Sequence, residues 1–127
     1  MNGAMKIEGP GKLLRIFIGE ADRWHGRSLA EAIVLMLRKE GLAGATVLRG
    51  VEGFGADSRI HSAHILRLSE DLPIVIEVVD REDRIRQILP KLDEMVSEGL
   101  VCLADVDIVM YRHSEKDEPP GYDPVEP

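Results

Sequence analysis

The stretch Leu72–Gly99, LPIVIEVVDREDRIRQILPKLDEMVSEG, changes its apolar period part-way and so encodes two elements in succession. From Leu72 to Val79 β-branched residues dominate, which suits a strand, with Pro73 tolerable near its start or on a sheet edge. From Asp80 the apolar residues recur at three- and four-residue spacing. Ile85, Ile88, Leu89, Leu92, Met95 and Val96 fall on one helical face. Asp80 is placed to cap this helix and Gly99 to close it. Pro90 lies inside it, removing a backbone donor and crowding the preceding turn, so a kink or break is expected near residues 86–90.

Downstream, Val101–Tyr111 reads as a long final strand. Upstream, Leu13–Ile18 (LLRIFI) is a first strand closed by Gly19, and Glu20–Arg27 is a polar connection. Ser28-Leu29-Ala30-Glu31 has the form of a capping box. Leu29, Ile33, Met36 and Leu37 then make one helical face, and Gly41 ends it. Ala45–Val51 (ATVLRGV) is a second strand that runs into Glu52-Gly53-Phe54-Gly55. Residues 56–71 form a long excursion in which Ile65, Leu66 and Leu68 could make a short strand. Loops of that length within a compact fold are usually functional.

The order β-α-β-loop-β-α-β, with right-handed crossovers, predicts an α+β ferredoxin-like βαββαβ sandwich. Its antiparallel sheet carries both helices on one face. One domain is expected over 1–127, with a core of about 12–112. Residues 113–127 follow as an acidic, proline-rich tail with four of the seven prolines and five acidic groups against one lysine.

The bulk composition narrows the function. The chain has 127 residues, is 44% apolar and 31% charged, and carries a formal charge of −7. No basic stripe is present to neutralise phosphates, so nucleic acid is not an expected partner. No apolar run approaches the roughly 18 residues of a membrane span. Met1–Gly11 lacks the apolar segment of a secretory leader, and Met5 could serve as the start as well as Met1. A cytoplasmic protein is expected. The single cysteine, Cys102, cannot form an internal disulfide.

No hydrolase elbow, zinc-protease motif, phosphate-binding loop or cysteine pair is present, so no enzyme is expected. His61 and His64, near Asp57, have a spacing that would share a metal on a helix, but their segment does not read as one. No metal is expected there. His25, beside Trp24, and His113 read as surface or interface residues.

The strands have a property that two helices cannot accommodate. Along a strand the side chains alternate, so a sheet covered on one face should alternate apolar with polar. Here Leu14, Ile16 and Ile18 oppose Leu13 and Phe17, while Ile74, Ile76 and Val78 oppose Val75 and Val79. Leaving the second set wet forgoes about 1.5–3 kcal/mol per large side chain. Either the 56–71 loop folds back over that face, or copies of the chain close upon one another. The second is the better account.

Ala45-Thr46-Val47 followed by Gly53-Phe54-Gly55 resembles the second strand of PII signalling proteins, where it enters the mobile T-loop. Ile74–Asp80 (IVIEVVD) is similar to their third strand, and the order of elements matches from Leu13 to about Arg112. The likeness is greatest to a PII-like branch some of whose members are associated with fluoride-ion exporters.

The resemblance implies a PII-like homotrimer with its sheets facing inward. It also implies an adenine nucleotide, AMP or ADP, held as effector in clefts between subunits. The signal would pass through the 56–71 loop to a membrane transporter or an enzyme. Thr46, Gly53, Phe54 and Gly55 would lie at the loop base, Glu77 near the adenine with Val79 beside it, and Arg112 on phosphate.

Glycines at 53 and 55 would let backbone N–H groups approach an anion closely, although a simple turn explains them as well. Glu77 could equally be a solvated or interface-paired carboxylate, and Arg112 a surface residue. Thr46 and Gly53 are one residue further apart than in the PII pattern, which leaves the register of Thr46 open. PII proteins carry Gly-Lys before the last strand. Gly99-Leu100 stands here, which favours a mono- or diphosphate over a triphosphate. No tyrosine occurs in 56–71, so uridylylation is not available there. The competing reading is a trimeric divalent-metal tolerance protein of the same architecture.

Overall fold

A computed structural model describes residues 8–54 and 71–113. Its elements are β1 (Gly9–Gly19), β2 (Arg23–Trp24), β3 (Arg27–Ser28), α1 (Leu29–Lys39), β4 (Thr46–Arg49), β5 (Pro73–Asp80), α2 (Glu82–Met95) and β6 (Leu100–Ile108). The four long strands form one antiparallel sheet in the order β4-β5-β1-β6. Of the strands consecutive along the chain, only β4 and β5 are neighbours in this sheet. β1 sits in the middle, paired with β5 and β6, so each helix crosses over one strand. This is the expected ferredoxin-like arrangement.

The core lies between this sheet and the two helices. Leu14, Ile16 and Ile18 from β1 and Ile74, Ile76 and Val78 from β5 meet Leu29, Ile33 and Leu37 of α1 and Ile85, Ile88 and Leu92 of α2. Period-two strands and period-3.6 helices thus deliver their apolar residues to one layer. Ser28 Oγ accepts the N–H of Glu31 at 3.2 Å and starts α1 as the capping motif requires.

Four expectations change. Asp80 does not cap α2, whose N-cap is Arg81. It ends β5, fully buried, and its Oδ2 accepts the N–H of Ala43 at 2.9 Å while Oδ1 accepts that of Arg81 at 2.7 Å. It therefore ties the chain after α1 to the start of α2. Pro90 neither breaks nor ends α2, which is helical from Glu82 to Met95. Pro90 itself is exposed. The freed carbonyl one turn back belongs to exposed Arg86, where water can satisfy it, and burial of Ile85, Ile88 and Leu92 holds the helix across the gap.

Gly99 does not close the helix either, because α2 ends at Met95 and Gly99 precedes β6. A Cβ there would stand 2.6 Å from the Phe17 carbonyl oxygen, so the glycine permits β6 to enter the sheet beside β1. The connection Glu20–Arg27 is also more ordered than expected. It contains the β2–β3 hairpin, turning through His25 (φ 49) and Gly26 (φ 84), the positive pair typical of tight two-residue hairpins. The strand expected at Ile65–Leu68, His61, His64 and the acidic tail lie outside the described residues.

Candidate functional site

The face of the sheet turned away from the helices is arranged in rows, because side chains directly opposite in an antiparallel ladder share a face. Leu48, Val75, Phe17 and Leu100 stand in one row across all four strands. The next row is polar: Thr46, Glu77, Arg15 and Cys102. A third, Val79, Leu13 and Ala104, is apolar again. Among the described residues no element covers this face. Leu48, Val79 and Leu100 are 48%, 43% and 57% exposed.

Arg15 and Glu77 join across the middle of the polar row, Nε to Oε2 at 2.8 Å. Two apolar bands thus flank one ion pair, with Thr46 at one end of its row. Thr46 lies opposite Glu77 in the ladder. Three of the expected site residues, Thr46, Glu77 and Val79, share this face.

The others stand elsewhere. Gly53 lies against the Pro73 ring, where an added Cβ would be 3.1 Å from Cγ, so the chain leaving β4 hugs the start of β5. Phe54 follows and is 69% exposed. Gly55 lies outside the described residues. Arg112 is exposed, one residue beyond Tyr111, whose hydroxyl donates to the Ala43 carbonyl at 3.3 Å. Ala43 is bonded in turn to Asp80, the far end of β5 from Pro73.

Gly53 and Arg112 therefore mark opposite ends of an eight-residue strand, a span of about 23 Å at the usual rise per residue. One copy cannot bring both to one small ligand. Sequence reasoning missed Arg15 as the partner of Glu77. Its signal was the charge in the middle of an otherwise apolar first strand.

Electrostatics on the helix side are local. Lys12 pairs with Asp105 and lies 4.0 Å from Glu82. The hydrogen bond from Lys12 holds the Asp105 carboxyl below its usual range, and the Asp105 carboxylate in turn raises the Lys12 ammonium. Arg49 is raised by its bond to Glu20. Among the described residues no three His, Cys, Asp or Glu side chains converge to hold a metal ion, and no helix is long and apolar enough to cross a membrane.

The DUF190 family model, described as "Uncharacterized ACR", matches residues 11–108, which run from β1 to the end of β6. The chain belongs to the DUF190 family. A UPF0166 protein of Methanocaldococcus jannaschii is 38% identical over 98 residues, covering 76% of this chain and 90% of that one. A UPF0166 protein of Aquifex aeolicus is 33% identical over 98 residues, covering 77% and 92%. Among solved structures, CPII bound to ADP and bicarbonate, from Thiomonas intermedia K12, superposes with a TM-score of 0.48 at 19% identity. It covers 85% of this chain and 93% of that one. The DUF190 chain has the strand order of a ferredoxin-like fold.

Proposed function

We propose that this DUF190 chain is a PII-like regulatory protein that assembles through the open face of its sheet and binds an adenine nucleotide between copies. The observation that carries the reading is the open face itself: two apolar rows and an Arg15–Glu77 pair that no element among the described residues covers. Docking copies on that face removes the apolar rows from water. It also offers a way to unite the Gly53–Gly55 end of one copy with the Arg112 end of another, which a single copy keeps apart. The likeness of Ala45–Gly55 to the PII second strand supports the same arrangement. In it the assembly is a homotrimer in the cytoplasm, and Glu77 and Val79 line the cleft beside the base. Order in the 56–71 loop follows the ligand and is read by a partner, a transporter or an enzyme.

Leu100 stands where PII proteins have a phosphate-holding lysine. AMP or ADP should therefore bind at least as tightly as ATP. Calorimetry with the three nucleotides tests this, alongside Arg112→Ala and Gly53→Val variants. Saturable heat for AMP or ADP that both variants weaken is the expected result. No heat with any nucleotide would overturn the reading. A marked preference for ATP would contradict its phosphate assignment.

A further inference from the structure

On the side of the molecule away from the open face, α1, α2 and the β2–β3 hairpin border an open cleft of about 500 Å³. That is within the usual range for small-molecule sites. Its chemistry is divided. At the hairpin end, Trp24 and His25 present stacked rings, 4.1 Å between centroids and 12° from parallel. His25 is the one described non-glycine residue at positive φ, a conformation that residues with a Cβ adopt at some cost. The hairpin thus holds an exposed imidazole against the indole at the mouth of the cleft.

Toward the other end stand Lys39 and Lys91, with Arg27 beside Trp24 in the hairpin. Three cations line the cleft in a chain whose formal charge is −7. Two acids, Glu40 and Glu94, also line the cleft. Glu40 is engaged by Lys91 at 3.8 Å, whereas Arg27 and Lys39 form no ion pair among the described residues. Met36 and Met95 supply an apolar wall that adapts in shape. From Ala32, near the hairpin, to Lys39 the helix rises about 10 Å.

We infer that this cleft is a second binding site, for a planar aromatic ring bearing a phosphate. The ring stacks at the Trp24–His25 end, and the phosphate lies toward Lys39 at the other. Stacking on an aromatic pair tolerates many ring types, so the ring class is broad, while the cations set the requirement for negative charge. The site is independent of the inter-copy cleft proposed above, since it uses residues of the helix side of one chain.

Trp24 is the single tryptophan, so its indole N–H resonance reports the cleft directly. The full-length protein is titrated with AMP and with phenyl phosphate, and with adenosine and inorganic phosphate as the separate halves. A saturable shift of the Trp24 resonance is expected with at least one aryl phosphate, with each half weaker by about tenfold or more. AMP alone would mark a nucleotide site, and phenyl phosphate as well as AMP a general aryl-phosphate site.

His25→Gly keeps a residue at ease with positive φ while removing the ring. It should weaken the aryl phosphates and leave inorganic phosphate unchanged. Lys39→Glu should weaken every anion, with thermal melting unchanged in both variants. Calorimetric binding of AMP with the Trp24 resonance unmoved, and no shift with phenyl phosphate, would overturn this site while leaving the inter-copy reading intact. A shift indifferent to both substitutions would overturn it as well.

Discussion

At the scale of single residues, Asp80 and Gly99 do the most to fix the geometry. The buried Asp80 carboxylate accepts two backbone N–H groups and stands 3.1 Å from Arg84 Nε. That nitrogen has no hydrogen-bond partner, so the contact with Arg84 is one of charge rather than an aligned bond. Asp80→Ala would leave backbone donors unsatisfied and a partly buried guanidinium without its counter-charge. A loss of about 3–5 kcal/mol is expected in urea unfolding. Gly99→Ala would drive a Cβ to 2.6 Å from a backbone oxygen that cannot move aside, at a cost of about 1–3 kcal/mol.

The Lys12–Asp105 pair makes a smaller, pH-dependent contribution. Asp105 is lowered in the folded state, so its share is present above its unfolded value and is lost as pH falls through the folded one. Lys12 is raised, so its share is present below its unfolded value and is lost as pH rises through the folded one. Melting of the native chain and of Asp105→Asn should differ by a constant amount between these limits. The difference should shrink below the carboxylate range and again in strong alkali. A difference that grows on acidification would contradict the pairing.

At the scale of elements, Pro90 and the hairpin show where local rules stop. The apolar spacing of residues 85–96 announces α2, but a proline rule applied alone predicts a break. Whether the helix survives depends on Ile85, Ile88 and Leu92 all reaching the core, which is a tertiary fact. The defect still costs stability. Pro90→Ala restores a donor at an exposed position and should stabilise the fold by up to about 3 kcal/mol, read as a rise in the urea midpoint. A fall would mean that the proline is needed where it stands.

The four long strands and two helices were legible because each carries a repeating apolar pattern. The β2–β3 hairpin was not, since two-residue strands hold no pattern and only the His25–Gly26 turn marks them. Of the candidate site, Thr46, Glu77 and Val79 could be placed on a strand from sequence. That Arg15 stands beside Glu77 required the β1–β5 register, since the two residues are 62 positions apart in the chain.

At the scale of the whole molecule, the sheet presents one finished face and one unfinished face. The finished face buries its apolar rows beneath two helices. The unfinished face repeats apolar rows with no cover among the described residues and places an ion pair between them. Such a pair, once enclosed by a second copy, adds little net affinity but penalises misaligned docking, because a shifted register would bury unpaired charge. Val79→Asp and Phe17→Asp should therefore weaken assembly more than they disturb the fold of one copy, whose core lies on the other side of the sheet. The copies' association and their circular dichroism would separate the two effects.

The central claim, assembly through this face, is tested most directly by the mass of the full-length chain in solution. Light scattering at micromolar concentration should give three times the 14.1-kDa chain mass, falling toward one chain in Val79→Asp. A native chain of 14.1 kDa under those conditions would contradict both the interface and the nucleotide cleft that depends on it.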